Sequence, residues 1–356
     1  MFEIEEILKI PPYSLASKQK AALYEDAMGD LTAFHRAHCA PYRRMVDALG
    51  ATGKKEADVP FFPVRLFKDY ELLSVEKSEV VKTMTSSGTS GQAVSKIFLD
   101  RKTSSAQTKA LTKITGEFLG KKRLPMLVLD SKAVLKDRQM FSARGAGILG
   151  FSMLGHDVTY ALNEQMELDF GVLDAFLEKH AGEDMMLFGF TYIVWAHFYK
   201  ALLDADKKYD LSNGILIHGG GFKKLQEEAV SNEEFKQRLK DACGLARVYN
   251  YYGMVEQTGS IFMECEHGRL HASVFSDVII RRADDFSECG VGERGLIQLL
   301  SLLPHSYPGH SILTEDEGEI TGIDDCPCGR LGKTIKIHGR IQNAEARGCS
   351  DTYERK

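Results

Sequence analysis

The sequence predicts an α/β fold, with layered sheets covered by helices and a smaller β-rich part toward the C-terminus. Three observations lead there. Between Leu124 and Asp241 short apolar runs alternate with helical stretches, as in a largely parallel sheet with crossover helices. After Asn250 the long helical stretches cease while strand-like runs continue, which predicts an antiparallel or barrel-like second half. At 356 residues the chain also exceeds the length at which one hydrophobic core stops growing, so a large domain with a smaller appendage is expected.

From Ser14 to Leu49, Ala, Leu, Met and Phe recur at three and four residues, which predicts a helical lead-in. The segment from Pro60 to Phe67 breaks that pattern and introduces strand-like segments. Val80 to Thr83 and Val94 to Leu99 read as strands, and Thr103 to Leu119 as a long helix. Strands at Leu124 to Leu129, Val158 to Leu162, Met185 to Phe188 and Gly214 to His218 then alternate with helices. The helices are expected near Leu168 to His180, near Tyr192 to Asp204 and, strongly charged, from Lys223 to Asp241. Later strands are expected at Ile261 to Met263, Val278 to Ile280, Leu296 to Leu303 and Ile335 to Ile337.

The bulk composition excludes several classes of function. A chain that is 44% hydrophobic and 27% charged is ordinary for a soluble globular protein. A net charge of −5 offers no electrostatic footprint for nucleic acid. No apolar run approaches the roughly 18 residues of a membrane span. The acidic, amphipathic start from Met1 to Ile10 is unlike an export signal, so a cytoplasmic location is expected. Seven cysteines in a chain of this length do not make a disulfide framework, and they read as ligands, nucleophiles or core filler.

Between the first two strands lies Thr83-Met-Thr-Ser-Ser-Gly-Thr-Ser-Gly-Gln92. Such a loop can cradle phosphate, because Gly88 and Gly91 let amide N–H groups approach an anion while Ser87, Thr89 and Ser90 add hydroxyl donors. Composition alone favours an exposed surface loop over a phosphate cradle. Two other glycine patterns are rejected. Gly145-Ala-Gly-Ile-Leu-Gly150 fits G-x-G-x-x-G but follows no convincing strand, and Gly329-Arg-Leu-Gly-Lys-Thr334 has Pro327 where a Walker loop needs its first glycine.

Tyr251-Tyr-Gly-Met-Val-Glu-Gln-Thr-Gly259 follows a strand-like Ala246 to Asn250. Together with the hydroxyl-rich loop it resembles the adenylate-forming superfamily. Within that superfamily the chain is similar to the acyl-protein synthetase (LuxE) family of bacterial luciferase operons, relatives of the phenylacetate-CoA ligases. The resemblance covers essentially the whole chain, with Gly145 to Phe151 and Arg347-Gly-Cys349 as its most specific stretches.

That resemblance implies an adenylate-forming domain over 1–338 and a short tail over 339–356 in place of the usual C-terminal domain. It puts Ser87, Gly88, Thr89, Ser90 and Gly91 at the phosphates of ATP and Gly219, Gly220 and Gly221 beside the adenine. Tyr252 and Gly253 would wall the nucleotide, Glu256 would bind Mg²⁺, Thr258 would contact the α-phosphate and Asp316 would grip the ribose. Arg340 corresponds to the basic residue after the next strand, and Phe190 and Tyr192 to the carboxylate pocket. Two positions depart from the superfamily pattern, Glu315 where glycine is usual and Gln342 where aspartate often stands. Read without the resemblance, Glu256 is a solvated turn acid, Asp316 a surface charge, and Phe190 and Tyr192 core.

The residue types suit the reaction the family implies. When a carboxylate attacks the α-phosphorus of ATP, the obstacle is crowded negative charge, which donors and Mg²⁺ relieve. The resemblance implies no counterpart here to the tail lysine of larger superfamily members, and it matches Cys349 to the cysteine that accepts the acyl group in the family, as against a free thiol on a frayed end. The expected activity is ATP-dependent conversion of a fatty acid to acyl-AMP, with transfer to Cys349 and delivery to an acyl-CoA-type reductase partner that makes the aldehyde. The alternatives are a CoA ligase and a nucleotide-binding scaffold without turnover.

Cys326-Pro-Cys328 is a tight pair whose sulfurs can share one ion, and Cys265 with His271 offers a second pair. Four such ligands suit structural, tetrahedral Zn²⁺, with His267 as an alternative to His271 and two unrelated thiol groups as the bland reading. Cys39, Cys243 and Cys289 are expected to be packing.

Overall fold

The computed structural model describes residues 3–50, 59–86, 94–135, 143–205, 208–222 and 227–341. These fall into two units, one from the described residues of 3–86, 94–117 and 252–341, the other from those of 118–251.

The first unit opens with the expected helical lead-in, split at Cys39 into helices Ser17–His38 and Ala40–Leu49. Pro41, in the first turn of the second helix, stands where its missing N–H costs nothing. The segment predicted to be strand-like from Pro60 holds only β1 (Phe62–Pro63) before a short helix, Leu66–Asp69. The hairpin strands β2 (Val80–Thr85) and β3 (Lys96–Asp100) then pair antiparallel, and helix Arg101–Leu119 leaves β3 directly.

The second unit is a parallel sheet of β4 (Leu124–Ser131), β5 (Gly155–Leu162), β6 (Met185–Phe190), β7 (Gly214–Gly219) and β8 (Arg247–Tyr252), in the order β5-β4-β6-β7-β8. Every residue of β6 and β7 is buried, which is why these strands read as unbroken apolar runs: helices cover both faces of a parallel sheet. Helix Ala143–Ser152 contains Gly145 to Gly150, so that glycine run is helix interior, consistent with its rejection as a dinucleotide turn. The charged helix predicted from Lys223 starts instead at Asn232 and ends at Cys243. Ser231 accepts the Glu234 amide N–H as N-cap and Gly244 takes a left-handed φ of 74° as C-cap, so cap chemistry and not charge sets its length.

Back in the first unit, β9 (Phe262–Glu264), β10 (Leu270–His271), β11 (Ser276–Arg281), β12 (Gly295–Ser301), β13 (Ser311–Ile323) and β14 (Lys333–Arg340) form the antiparallel half, ordered β11-β12-β13-β14-β10-β9. Phe262, Val278, Ile280, Ile297, Leu299 and Ile335 make its core. β13 has no counterpart among the predicted strands. Its register slips where Gly318 lets Lys336 O approach within 2.6 Å of the place a Cβ would take.

Candidate active site

β13 and β14 bring three of the expected residues together. Their register sets Asp316 opposite Arg340, whose Nε lies 3.8 Å from Asp316 Oδ1, and Arg340 Nη1 is equally far from Glu315 Oε2. From the other side the Tyr252 phenol donates to Asp316 Oδ2 at 2.7 Å. The Asp316 amide N–H donates to Thr314 Oγ1 at 3.1 Å, and that hydroxyl donates to Ile297 O at 2.9 Å. Burial, with the Asp316 carboxylate adding to it, holds the Tyr252 phenol well above its ordinary pKa, so it stays a donor. Glu315, which departs from the superfamily pattern, adds a second acid facing Arg340.

Glu256 sits in a single 3₁₀ turn, Val255–Gln257, and is buried. The turn is held from below by Gln257, whose Nε2 donates to Gly309 O at 2.8 Å and Leu299 O at 3.2 Å. Thr258 donates to Val255 O at 2.9 Å, and its hydroxyl lies 3.9 Å from Met84 Sδ in β2. Gly259 has φ +85°, and a Cβ there would meet the Gln107 carbonyl at 2.6 Å, so this close approach requires glycine. Gly253 is exposed. Ser87, Gly88, Thr89, Ser90 and Gly91 lie outside the described residues, as do Arg347, Gly348 and Cys349. At the root of that loop the Ser95 amide donates to Ser86 Oγ at 2.9 Å, and the Ser86 amide to Ser95 O at 3.2 Å.

In the second unit, Gly219 ends β7 with the Tyr251 ring lying where its Cβ would be, 2.5 Å from Cε1. Gly220 follows in a left-handed conformation, φ +77°. Thr191, which the sequence reading passed over although Phe190 and Tyr192 bracket it, fixes this turn. Its hydroxyl lies 2.9 Å from Gly220 O, 3.2 Å from Gly219 O and 2.8 Å from His218 Nδ1. Burial pushes His218 down to about 3, so the imidazole is neutral. Phe190 is buried edge-on to Phe188, and its ring sits 3.1 Å from where a Cβ on Gly147 would be. Tyr192 is half-buried beside His197. A buried ion pair from Arg144 to Asp130 anchors the helix that carries Gly147.

The cysteine and histidine pairs also meet. The ligand atoms of Cys265, His271, Cys326 and Cys328 all lie within 4.8 Å of one another, with Cys265 Sγ to Cys326 Sγ at 3.7 Å and Cys328 Sγ to His271 Nε2 at 3.4 Å. A tetrahedral Zn²⁺ with bonds of about 2.3 Å to sulfur and about 2.0 Å to nitrogen has edges of roughly 3.5–3.8 Å, close to the Cys265–Cys326 and Cys328–His271 separations. Burial, and then the Arg330 charge, push His271 down to about 4, the neutral form a ligand must have. His267 contributes only its backbone N–H, to Cys265 Sγ at 3.4 Å. Cys39 and Cys243 are buried, and Cys289 packs against the antiparallel core.

Known proteins share this chain's pattern. The family model for the acyl-protein synthetase LuxE matches residues 2–356. A long-chain-fatty-acid–luciferin-component ligase of Vibrio harveyi is 23% identical over 332 residues, 89% of this chain and 83% of that protein. The protein of the same name from Aliivibrio fischeri is 22% identical, over 82% of this chain and 77% of its own length. Among solved structures, an open 2-hydroxyisobutyryl-CoA ligase in complex with 2-HIB-AMP and CoA superposes with a TM-score of 0.69 at 15% identity, covering 93% of this chain and 77% of that one. A long-chain-fatty-acid-CoA ligase from Archaeoglobus fulgidus does so at 0.50 and 16%, covering 77% and 54%. These likenesses bear out the adenylate-forming fold expected from the sequence.

Proposed function

The chain belongs to the acyl-protein synthetase (LuxE) family, and from that premise we propose that it is an ATP-dependent ligase that activates a long-chain fatty acid as acyl-AMP and passes the acyl group to its own Cys349. The observation that supports the reading most is the meeting of Tyr252 and Asp316, 64 residues apart in sequence, in one hydrogen bond.

In the first half reaction a carboxylate oxygen attacks the α-phosphorus and pyrophosphate leaves. No proton need move, so the protein's task is to hold charges and exclude water. Asp316, held by Tyr252 and Thr314, accepts hydrogen bonds from the ribose hydroxyls. Thr258 would turn its hydroxyl proton from Val255 O to the α-phosphate, and Arg340 offsets charge near Asp316. By the family resemblance Ser87, Thr89 and Ser90 would supply donors to the leaving phosphates, Gly219 to Gly221 would serve the adenine, and Phe190 and Tyr192 the acid. Glu256 would hold Mg²⁺, which neutralises phosphate charge; one buried acid suffices because this ion keeps several waters and takes its other oxygens from substrate. In the second half reaction the Cys349 sulfur bonds to the acyl carbon, the bond to AMP breaks, and the thiol proton leaves to solvent.

Zn²⁺ at Cys265, His271, Cys326 and Cys328 would tie the β9–β10 hairpin to the turn before β14. A reductase partner that takes the acyl group from the 339–356 tail completes the reading. Among the described residues no helix is long and apolar enough to cross a membrane.

Fatty-acid-dependent exchange of pyrophosphate into ATP tests the first half and is expected to vanish in Glu256→Ala. A hydroxylamine-labile acyl group on the protein tests the second. Accumulation of free acyl-CoA, with no labelled protein, would instead assign a CoA ligase.

A further inference from the structure

The connection between β12 and β13 is buried and unusually long for antiparallel neighbours, which two residues could join. Ser306 and Tyr307 within it are fully buried. A buried connection is stable only if its polar groups find partners, and those partners are informative here. The Ser306 amide donates to Thr103 Oγ1 at 3.0 Å and its hydroxyl to Phe98 O at 2.7 Å, so this residue grips both β3 and the helix that leaves it. The next side chain points to the other half of the apparatus. Tyr307 Oη donates to the carbonyl of Glu256 at 2.8 Å and accepts from Gln107 Nε2 at 3.3 Å. Gly309 must lack a side chain because a Cβ there would overlap the Tyr307 ring and come within 3.0 Å of Glu256 O. Its carbonyl accepts from Gln257 Nε2.

We propose that Ser306 and Tyr307 are positioning residues that fix the Glu256 turn relative to β3, the outgoing strand of the hairpin whose connection carries Ser87 to Gly91. The inference rests on the adenylation reading above. One residue binds the hairpin and its neighbour binds the metal-ligand turn, so the spacing between the two is set by a single peptide unit. Rates of positioned reactions fall steeply with displacement of about 1 Å, which gives this link kinetic and not only structural weight.

Tyr307→Phe keeps the ring, with its edge contact to Phe67, and deletes the proton given to Glu256. We expect the maximal rate of pyrophosphate exchange to drop by about tenfold or more and the Mg²⁺ concentration for half-maximal rate to rise, while the KM for fatty acid stays at its wild-type value. The rise in melting temperature that MgATP gives the wild type is expected to shrink in the variant, a readout independent of turnover. Thr103→Val should show the same split and Thr103→Ser should restore wild-type behaviour, since the serine keeps the oxygen that accepts from Ser306. A folded Tyr307→Phe protein with wild-type rate, Mg²⁺ dependence and MgATP stabilisation overturns this inference alone, as does a loss that merely follows the folded fraction. A wild-type protein that neither exchanges pyrophosphate nor is stabilised by MgATP overturns the adenylation reading and this inference together.

Discussion

The Tyr252 phenol donates a 2.7 Å hydrogen bond to Asp316, whose other oxygen faces Arg340 at 3.8 Å. A carboxylate flanked in this way has one donor fixed and its remaining lone pairs open to two neighbouring hydroxyls, which is what recognition of a ribose requires. Asp316→Asn should raise the KM for ATP about tenfold while leaving the KM for fatty acid unchanged, since one hydrogen bond to a charged group contributes about 1.5–3 kcal/mol. Initial-rate kinetics with each substrate varied separately check this. Equal rises in both constants would remove Asp316 from the nucleotide.

Tyr252→Phe separates orientation from contact. The variant keeps the ring and loses the donor, so Asp316 retains Arg340 but gains rotational freedom. Its KM for ATP should rise less than that of Asp316→Asn. Combining the two substitutions should give less than the sum of their effects, because they share one interaction. A double-mutant cycle on KM reads this, and strict additivity would deny the coupling.

The thiol and imidazole cluster predicts close to one Zn²⁺ per chain in protein purified without chelator, measured by elemental analysis. Cys328→Ser should lower both metal content and melting temperature. The sulfur-to-nitrogen separation of 3.4 Å to His271 is close to the length of one edge of a tetrahedral zinc site. His267→Ala should keep the metal, because only the backbone of His267 reaches the cluster.

Much of this was legible beforehand. β4, β6 and β7 announced themselves as apolar runs because both of their faces are covered. The true start of helix Asn232–Cys243 was also written in the chain, as Ser231 with Glu234 three residues on, but the charge run upstream obscured it. β13 was illegible for a different reason. Glu315, Asp316, Glu317 and Glu319 interrupt its apolar pattern, and its strand character comes from backbone pairing with β12 and β14, which hydropathy does not register. The same holds for the candidate site. The family resemblance pointed to Tyr252 and Asp316 separately, yet their contact follows from long-range packing around β13, and the support that Thr191 and Tyr307 give to neighbouring turns follows from packing alone.

A buried histidine pair makes acid sensitivity predictable. His310 Nε2 lies 3.1 Å from Thr32 Oγ1 and 3.3 Å from the Tyr42 hydroxyl, His35 Nδ1 lies 2.8 Å from Ser74 Oγ, and the two imidazoles stack 4.9 Å apart. Burial pushes His310 down to about 3 and, with His310 and His305 adding their charge, holds His35 well below its ordinary value. The unfolded chain takes up these protons near pH 6.5 and the folded chain does not, so their contribution is complete above pH 6.5 and is lost as pH falls toward the folded values. For His310 alone the loss by pH 3 is on the order of 4 kcal/mol. Urea midpoints measured from pH 7 to pH 4 should therefore decline, and His310→Gln should flatten that decline.

The assignment of the acyl acceptor can be tested against the other sulfurs. Burial raises the thiols of Cys39 and Cys289 and pushes Cys243 up to about 11, so each is a weak source of thiolate at neutral pH. Cys328 differs from these three. Burial works against its thiolate, but hydrogen bonds from the Arg330 amide, the neighbouring thiols and the Arg330 side chain outweigh it and leave its pKa lowered. The comparison that matters is therefore Cys349→Ala against Cys328→Ser, with intact mass recorded after incubation with ATP, Mg²⁺ and a panel of fatty acids. Cys349→Ala should abolish the hydroxylamine-labile mass gain while pyrophosphate exchange, which precedes thioester formation, continues. Cys328→Ser should still become acylated to the extent that it remains folded. A mass gain that survives in Cys349→Ala and disappears in a folded Cys328→Ser would move the acceptor from the tail to the cysteine cluster and remove Cys328 from the zinc.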